Sequence, residues 1–135
     1  MEISLGKAYT YSRTFTEYDV RNYANLSADD NVVHLDAELA TETIFGQRVV
    51  HGIFVAGMFS KIFGTIYPGT GAIYLEQNLK FLRPVFFNDV TTARVTLTEF
   101  NTEKRHGTFT TECFNSRNEK VLTGSAKILF PADAS

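Results

Sequence analysis

Gly52-Ile53-Phe54-Val55-Ala56-Gly57-Met58-Phe59-Ser60-Lys61-Ile62-Phe63 is the stretch that decides how this chain folds. On a helix its apolar residues point in nearly every direction, and a helix apolar all round has to be buried all round. The pattern therefore predicts a helix over 52–63 in the middle of the molecule. Gly57 weakens such a helix, and predicts a point of close backbone approach. Pro68-Gly69 and Gly71 then punctuate the chain. The second half of the chain reads as sheet. From Ile73 the odd positions Ile73, Leu75, Gln77, Leu79 and Phe81 alternate with Tyr74, Glu76, Asn78 and Lys80, which predicts a strand with one buried face. Ala93, Val95 and Leu97 alternate with Thr92, Arg94, Thr96 and Thr98. Thr108 to Phe114 and Val121 to Phe130 are β-prone runs, and the polar segment 115–120 between them predicts a hairpin. One apolar helix followed by several long antiparallel strands implies a sheet wrapped around a central helix, an α+β layout.

Upstream of the helix, Tyr9 to Phe15 alternates like a first strand. Thr16 reads as an N-cap with Glu17 and Asp19 in the first turn, and near-helical spacing of Tyr18, Val20, Tyr23, Ala24 and Leu26 carries a helix to about Ser27. Ser27 to His34 is rich in Asp and Asn and reads as a loop. Asp36 caps a short helix expected to run to about Thr43.

The 135 residues suit one domain spanning 1–135. A net charge of -2 leaves no basic footprint for nucleic acid and no polybasic membrane anchor. The opening Met1-Glu2-Ile3-Ser4-Leu5 predicts no secretory leader, and Gly52 to Phe59 is too short to span a bilayer, so a cytoplasmic protein is expected. Cys113 is the one cysteine and cannot form an internal disulfide. The chain holds 12 Phe and 6 Tyr but no Trp. These rings either pack the core or line an apolar tunnel.

Two segments carry groups that do chemistry. In Leu26-Ser27-Ala28-Asp29-Asp30-Asn31-Val32-Val33-His34, Asp29 and His34 lie five positions apart. They would diverge on a regular helix. In a turned loop they can converge on one water, and a carboxylate with an imidazole can take a proton from water and return one to carbon. The same residues also read as a solvated turn with an exposed histidine, and adjacent Asp29 and Asp30 leave open which carboxylate matters. In Val49-Val50-His51-Gly52 the glycine opens the apolar helix. Unpaired N–H groups there can hold a thioester carbonyl and the enolate oxygen that develops from it, or the segment is a tight turn before a core helix. The histidines and Cys113 show no metal-ligand spacing, and no nucleophile elbow, Walker A loop or dinucleotide fingerprint occurs. No metal and no cofactor are expected.

The segment Asp29-Asp30-Asn31-Val32-Val33-His34 resembles the hydratase-2 motif of the MaoC-like dehydratase family, Ser-Gly-Asp-x-Asn-Pro-x-His with a small residue further on, here Ala40. The resemblance continues through Val50-His51-Gly52, the 56–60 helix and Tyr74-Leu75 to Phe81-Leu82-Arg83-Pro84-Val85, and covers roughly residues 5–130. It is strongest toward the small (R)-specific enoyl-CoA hydratases. The resemblance implies a hot-dog fold, a homodimer with its site near the subunit interface, and an acyl-CoA or acyl carrier protein thioester as substrate. It implies the motif aspartate at Asp29, not Asp30, the motif histidine at His34, and a loop-shaping role for Asn31. It implies the carbonyl-binding N–H at Gly52 and a loop-supporting serine at Ser60. Ala28 replaces the usual glycine and Val32 the usual proline, which touches loop geometry and no reactive group.

The expected reaction is addition of water to a trans-2-enoyl thioester, giving the (R)-3-hydroxyacyl product, reversibly. Phe63, Tyr67 and Tyr74 are candidates to line an acyl pocket, and Lys80 and Arg83 could meet CoA phosphates or simply be solvated surface charges. Two other functions stay open at this point: an acyl-CoA thioesterase on the same fold, and a non-catalytic acyl-thioester-binding subunit.

Overall fold

The computed structural model describes residues 1–134. In chain order the elements are β1 (Ala8–Arg13), α1 (Glu17–Ser27), α2 (Val32–Leu35), α3 (Ala37–Ala40), α4 (Gly52–Thr65), β2 (Ile73–Gln77), β3 (Lys80–Phe81), β4 (Thr91–Asn101), β5 (His106–Phe114) and β6 (Lys120–Leu129). All strand pairs are antiparallel, in one six-stranded sheet of order β1-β4-β5-β6-β2, with β3 also on β6. β5 and β6 form the expected hairpin.

Period-2 alternation gives the long strands a buried face. Ala93, Val95 and Leu97 of β4, Phe109 and Cys113 of β5, and Leu122, Ala126 and Ile128 of β6 are buried against Val55, Met58, Phe59, Ile62 and Phe63 of α4. This is a helix wrapped by a sheet, the α+β hot-dog arrangement. Among the described residues no helix is long and apolar enough to cross a membrane.

α1 starts where expected, with a reciprocal cap. The Asp19 N–H donates to Thr16 Oγ1 (3.1 Å), and the Thr16 N–H donates to Asp19 Oδ2 (3.0 Å). Arg13 adds a 2.8 Å ion pair to the same carboxylate. The Thr16 N–H leads the causes that hold the Asp19 carboxyl below its ordinary pKa.

Four expectations are corrected. The segment 27–34 is not wholly loop, because α2 begins at Val32, capped by the Asn31 side chain, which accepts from the Val33 N–H at 3.2 Å. A single turn has no periodicity to read. The Asp36-capped helix stops at Ala40, short of Thr43. α4 is not buried all round: Ile53, Gly57, Ser60, Lys61 and Gly64 form an uncovered stripe, and nothing lies within 4 Å of a Cβ built on Gly57, so the close approach expected there is not made. Finally, the strand predicted over 73–81 is broken and exposed. Asn78 inserts into the edge, its N–H donating to the Ser125 carbonyl (3.0 Å) while its Oδ1 accepts from the Ser125 N–H (3.1 Å). Its own carbonyl fills the place where a side chain on Gly124 would go. Ile73, Leu75 and Phe81 stay exposed: β2 and β3 lie at the sheet edge, where α4 covers them only in part, at Tyr74 through Phe63 and at Phe81 through Gly52.

Candidate active site

The site forms where α1 ends and α4 begins. Ala28 stops α1 in the left-handed region (φ 63°, ψ 11°), a conformation awkward for a residue with a Cβ. The reversal swings Asp29 back toward the start of α4. Ser27 and Asn31 fix the turn: the Asp29 N–H donates to Ser27 Oγ (3.1 Å), and Asn31 caps α2, which carries His34.

His34 is tied at one nitrogen. Its Nδ1 lies 2.7 Å from the Val49 carbonyl. A carbonyl only accepts, so Nδ1 carries the proton and Nε2 keeps a free lone pair. Burial holds the His34 pKa below the ordinary 6.5. The Val49 hydrogen bond opposes that shift, His51 adds to it, and Asp29 opposes it. An imidazole that stays neutral near pH 7 is available as a base.

His51 stands directly before α4, 2% exposed. Its Nε2 lies 2.8 Å from the Asp29 backbone carbonyl and so donates to it. Its ring stacks on His34, with centroids 3.7 Å apart and an interplanar angle of 21°. One polar atom each from Asp29, His34 and His51 lie within 4.8 Å of one another. That spacing lets a single water sit at hydrogen-bond distance, about 2.8 Å, from two of the groups at once. It does not suit a metal held by both histidines. Metal lone-pair bonds of about 2.1 Å lie in the ring planes, and stacked rings send theirs along nearly parallel planes.

α4 begins without a side-chain cap, and its first turn closes with the Val55 N–H donating to the His51 carbonyl (3.1 Å). The preceding N–H groups, including Gly52's, are the ones a helix start leaves without intrahelical partners. A cavity of about 430 Å³ opens beside them. His34, Gly52, Val33, Phe45, Phe81 and Leu82 are among its walls, with Arg83 also on it. Asp29 is exposed and is not a wall; it reaches the site through its neighbours His34 and His51.

The structure thus brings Asp29, Asn31, His34 and Gly52 together. It does not bring the other candidates. Ser60 is exposed on α4, eight residues beyond Gly52 or about 12 Å at 1.5 Å per residue, and no hydrogen bond joins it to the 27–34 segment among the described residues. The loop-supporting part expected of it is not played within this chain. Phe63, Tyr67 and Tyr74 do not line the cavity. Phe63 packs edge-on against Phe109 and Tyr74, and Tyr67 stacks on Tyr9 at 4.1 Å. Phe63 and Tyr67 sit toward the far end of α4, where rings fill the core, and Tyr74 lies at the core's edge, partly exposed. Tyr74 donates to Gln77, and burial raises its pKa and, with Tyr9, lifts that of Tyr67 to about 12, so neither phenol is suited to proton transfer near neutrality. Cys113 is fully buried with its thiol pushed up to about 12, which suits packing and not attack. Of the two candidate cations, Arg83 lies on the cavity, while Lys80 is exposed on β3 and is not among its walls.

Two features escape a reading of the sequence. His51 stands there only as the residue before the helix, although a histidine beside the helix-opening glycine is a usable signal. Phe45, in an irregular stretch between α3 and α4, gives no periodic cue.

Comparison with known proteins gives the family of the chain. Residues 4–120 match the family described as MaoC like domain. The (R)-specific enoyl-CoA hydratase of Rhodospirillum rubrum is 39% identical over 97% of this chain and 90% of its own length. The structure of the (R)-hydratase from Aeromonas caviae superposes with a TM-score of 0.93 at 37% identity, over 96% of this chain and 98% of that one. The structure of an R-hydratase from Pseudomonas aeruginosa, at 34% identity, gives 0.90 over 96% of this chain and 83% of that one.

Proposed function

Because this chain belongs to the MaoC-like family, as a hydro-lyase of the (R)-specific enoyl-CoA hydratase type, we propose that it adds water across the double bond of a trans-2-enoyl thioester, using Asp29 and His34 on one water. The observation that carries this reading is the convergence of the Asp29 carboxylate and the His34 ring beside a cavity that reaches the start of α4.

The thioester carbonyl binds at the Gly52 N–H, where the helix start favours developing negative charge. That polarisation draws electrons from C2=C3 and makes C3 electrophilic. Asp29 and His34 hold a water against C3. Nε2, the free nitrogen of His34, takes a proton as the water oxygen bonds to C3 and the π bond shifts onto the enolate. The imidazolium then returns that proton to C2 as the enolate collapses. Both new bonds form on the face that carries the water, and the (R)-specific relatives support the face of C3 that gives the (R)-3-hydroxyacyl thioester; the reverse sequence is dehydration. The chiefly apolar cavity takes the acyl chain, and Arg83 at its wall suits the anionic end of a CoA or acyl carrier thioester.

The exposed apolar edge of β2 at Ile73 and Leu75 supports pairing with a second copy. The proposed assembly is a homodimer covering that edge.

Steady-state hydration of crotonyl-CoA by Asp29→Asn and His34→Ala variants tests the chemistry. A drop of about 10²–10⁴-fold in kcat is expected for His34→Ala and a comparable one for Asp29→Asn. Near-normal rates in both variants would end the proposal.

A further inference from the structure

We propose that His51, which touches no reacting atom, positions the catalytic pair: its Nε2–H holds the Asp29 backbone and its ring fixes the plane of His34. The inference rests on the hydratase reading of the site. Three observations carry it. The Nε2 bond to the Asp29 carbonyl, 2.8 Å long, spans 22 residues and ties the turn after α1 to the start of α4. The ring covers the His34 ring face to face at 3.7 Å. The third is the cost: His51 is 2% exposed and its Nδ1 has no hydrogen-bond partner among the described residues. A buried polar atom left unpaired disfavours folding and calls for a reason.

The reason lies in the shape of the side chain. Phenylalanine would supply the flat ring but not the N–H at its tip. Glutamine would reach with an N–H but could not stack. A small ring with a donor at its far end does both. Tyr23 of α1 also packs against the His51 ring, edge to face with centroids 4.7 Å apart, and Tyr23 stacks in turn on Phe54 at 4.6 Å. His51 therefore cannot swing, and the parts it touches inherit that rigidity. Because it immediately precedes Gly52, one residue links the carboxylate, the imidazole and the carbonyl-binding N–H.

The stacking also bears on protonation. The titratable and charged groups facing His34 include Asp29 from the preceding turn and His51 from the start of α4, with Arg83 on the shared cavity wall and Arg21 of α1 donating to the adjacent Leu35 carbonyl (3.4 Å). A second imidazole so close disfavours a positive charge on His34, working with burial. Removing it lets His34 protonate at higher pH.

Two variants separate the roles. His51→Gln keeps a donor toward Asp29 and loses the ring. His51→Phe keeps the ring and loses the donor. With crotonyl-CoA, His51→Phe is expected to lower kcat about 10²-fold, the effect of roughly 1 Å of misplacement, with KM little changed. His51→Gln is expected to recover most of that loss. In both variants the acid limb of the pH profile moves up toward the ordinary histidine value, a change that a merely structural residue would not cause. Titration of the His34 ring by NMR in wild type and His51→Gln reads the same shift without any turnover. If wild type fails to hydrate enoyl thioesters, the hydratase reading fails while the ring titration still decides this one. An unchanged His34 midpoint, or folded variants with wild-type kcat and acid limb, overturns the positioning role.

Discussion

Gly52→Ala is the substitution whose consequence comes most directly from geometry. A methyl group built at Gly52 would sit 2.5 Å from Phe81 Cε1 and 2.7 Å from Cδ1. Non-bonded carbons rest at about 3.5–4.0 Å, so the ring must retreat by roughly 1 Å. Phe81 is 54% exposed and forms a wall of the cavity. The ring therefore yields before the backbone does, and it yields into the space the thioester needs. A displacement of about 1 Å at a reacting centre costs about 10²-fold, or ~2.7 kcal/mol at about 1.36 kcal/mol per decade. Stability should hardly change. Alanine gains up to about 1 kcal/mol over glycine in a helix, and the crowding is relieved by a ring that is free to turn. The assay is kcat/KM for crotonyl-CoA hydration alongside a thermal melt. Adding Phe81→Ala to Gly52→Ala restores the room and should recover most of the activity. A Gly52→Ala enzyme within about threefold of wild type, under 1 kcal/mol of transition-state energy, would refute the placement of the carbonyl at this N–H. A double variant no better than the single would refute the steric explanation.

The loop and the imidazole give further expected outcomes. Ala28→Gly relieves a left-handed residue worth about 1–2 kcal/mol of strain against about 0.4–1 kcal/mol of added unfolded-state freedom, so Tm should rise slightly with kcat kept; a lower Tm would contradict it. His34 has a folded pKa below its unfolded one. Between the two values the unfolded chain binds more protons, so its contribution to stability is full above about 6.5 and declines as pH falls through the lowered value. The acid limb of kcat/KM should accordingly have its midpoint below 6.5, and a limb above that value would contradict the buried, neutral imidazole.

The parts of the fold legible in the sequence are those set by local periodicity. Thr16 with Asp19 announces the start of α1, and alternation places β4, β5 and β6 within a few residues of their observed bounds. Where the outcome depends on a neighbour, pattern fails. The alternation from Ile73 is real, yet only Leu79 of its apolar residues packs on the core, while Ile73, Leu75 and Phe81 stay largely exposed in this chain. The same holds for the uncovered stripe of α4. The motif spacing picks out Asp29, Asn31, His34 and Gly52, because a turned segment and a helix start are local devices. The cavity walls are not legible, since Phe45, Phe81 and Leu122 meet only in three dimensions, and aromatic composition alone points to Phe63, Tyr67 and Tyr74 instead. His51 escapes for a similar reason: its partners lie in the turn after α1.

The most direct test incubates the wild-type protein with crotonyl-CoA and resolves the products on a chiral column while following free thiol. The predicted product is (R)-3-hydroxybutyryl-CoA with its thioester intact. Release of CoA without the hydroxy product, or formation of the (S) isomer, would contradict the hydration mechanism.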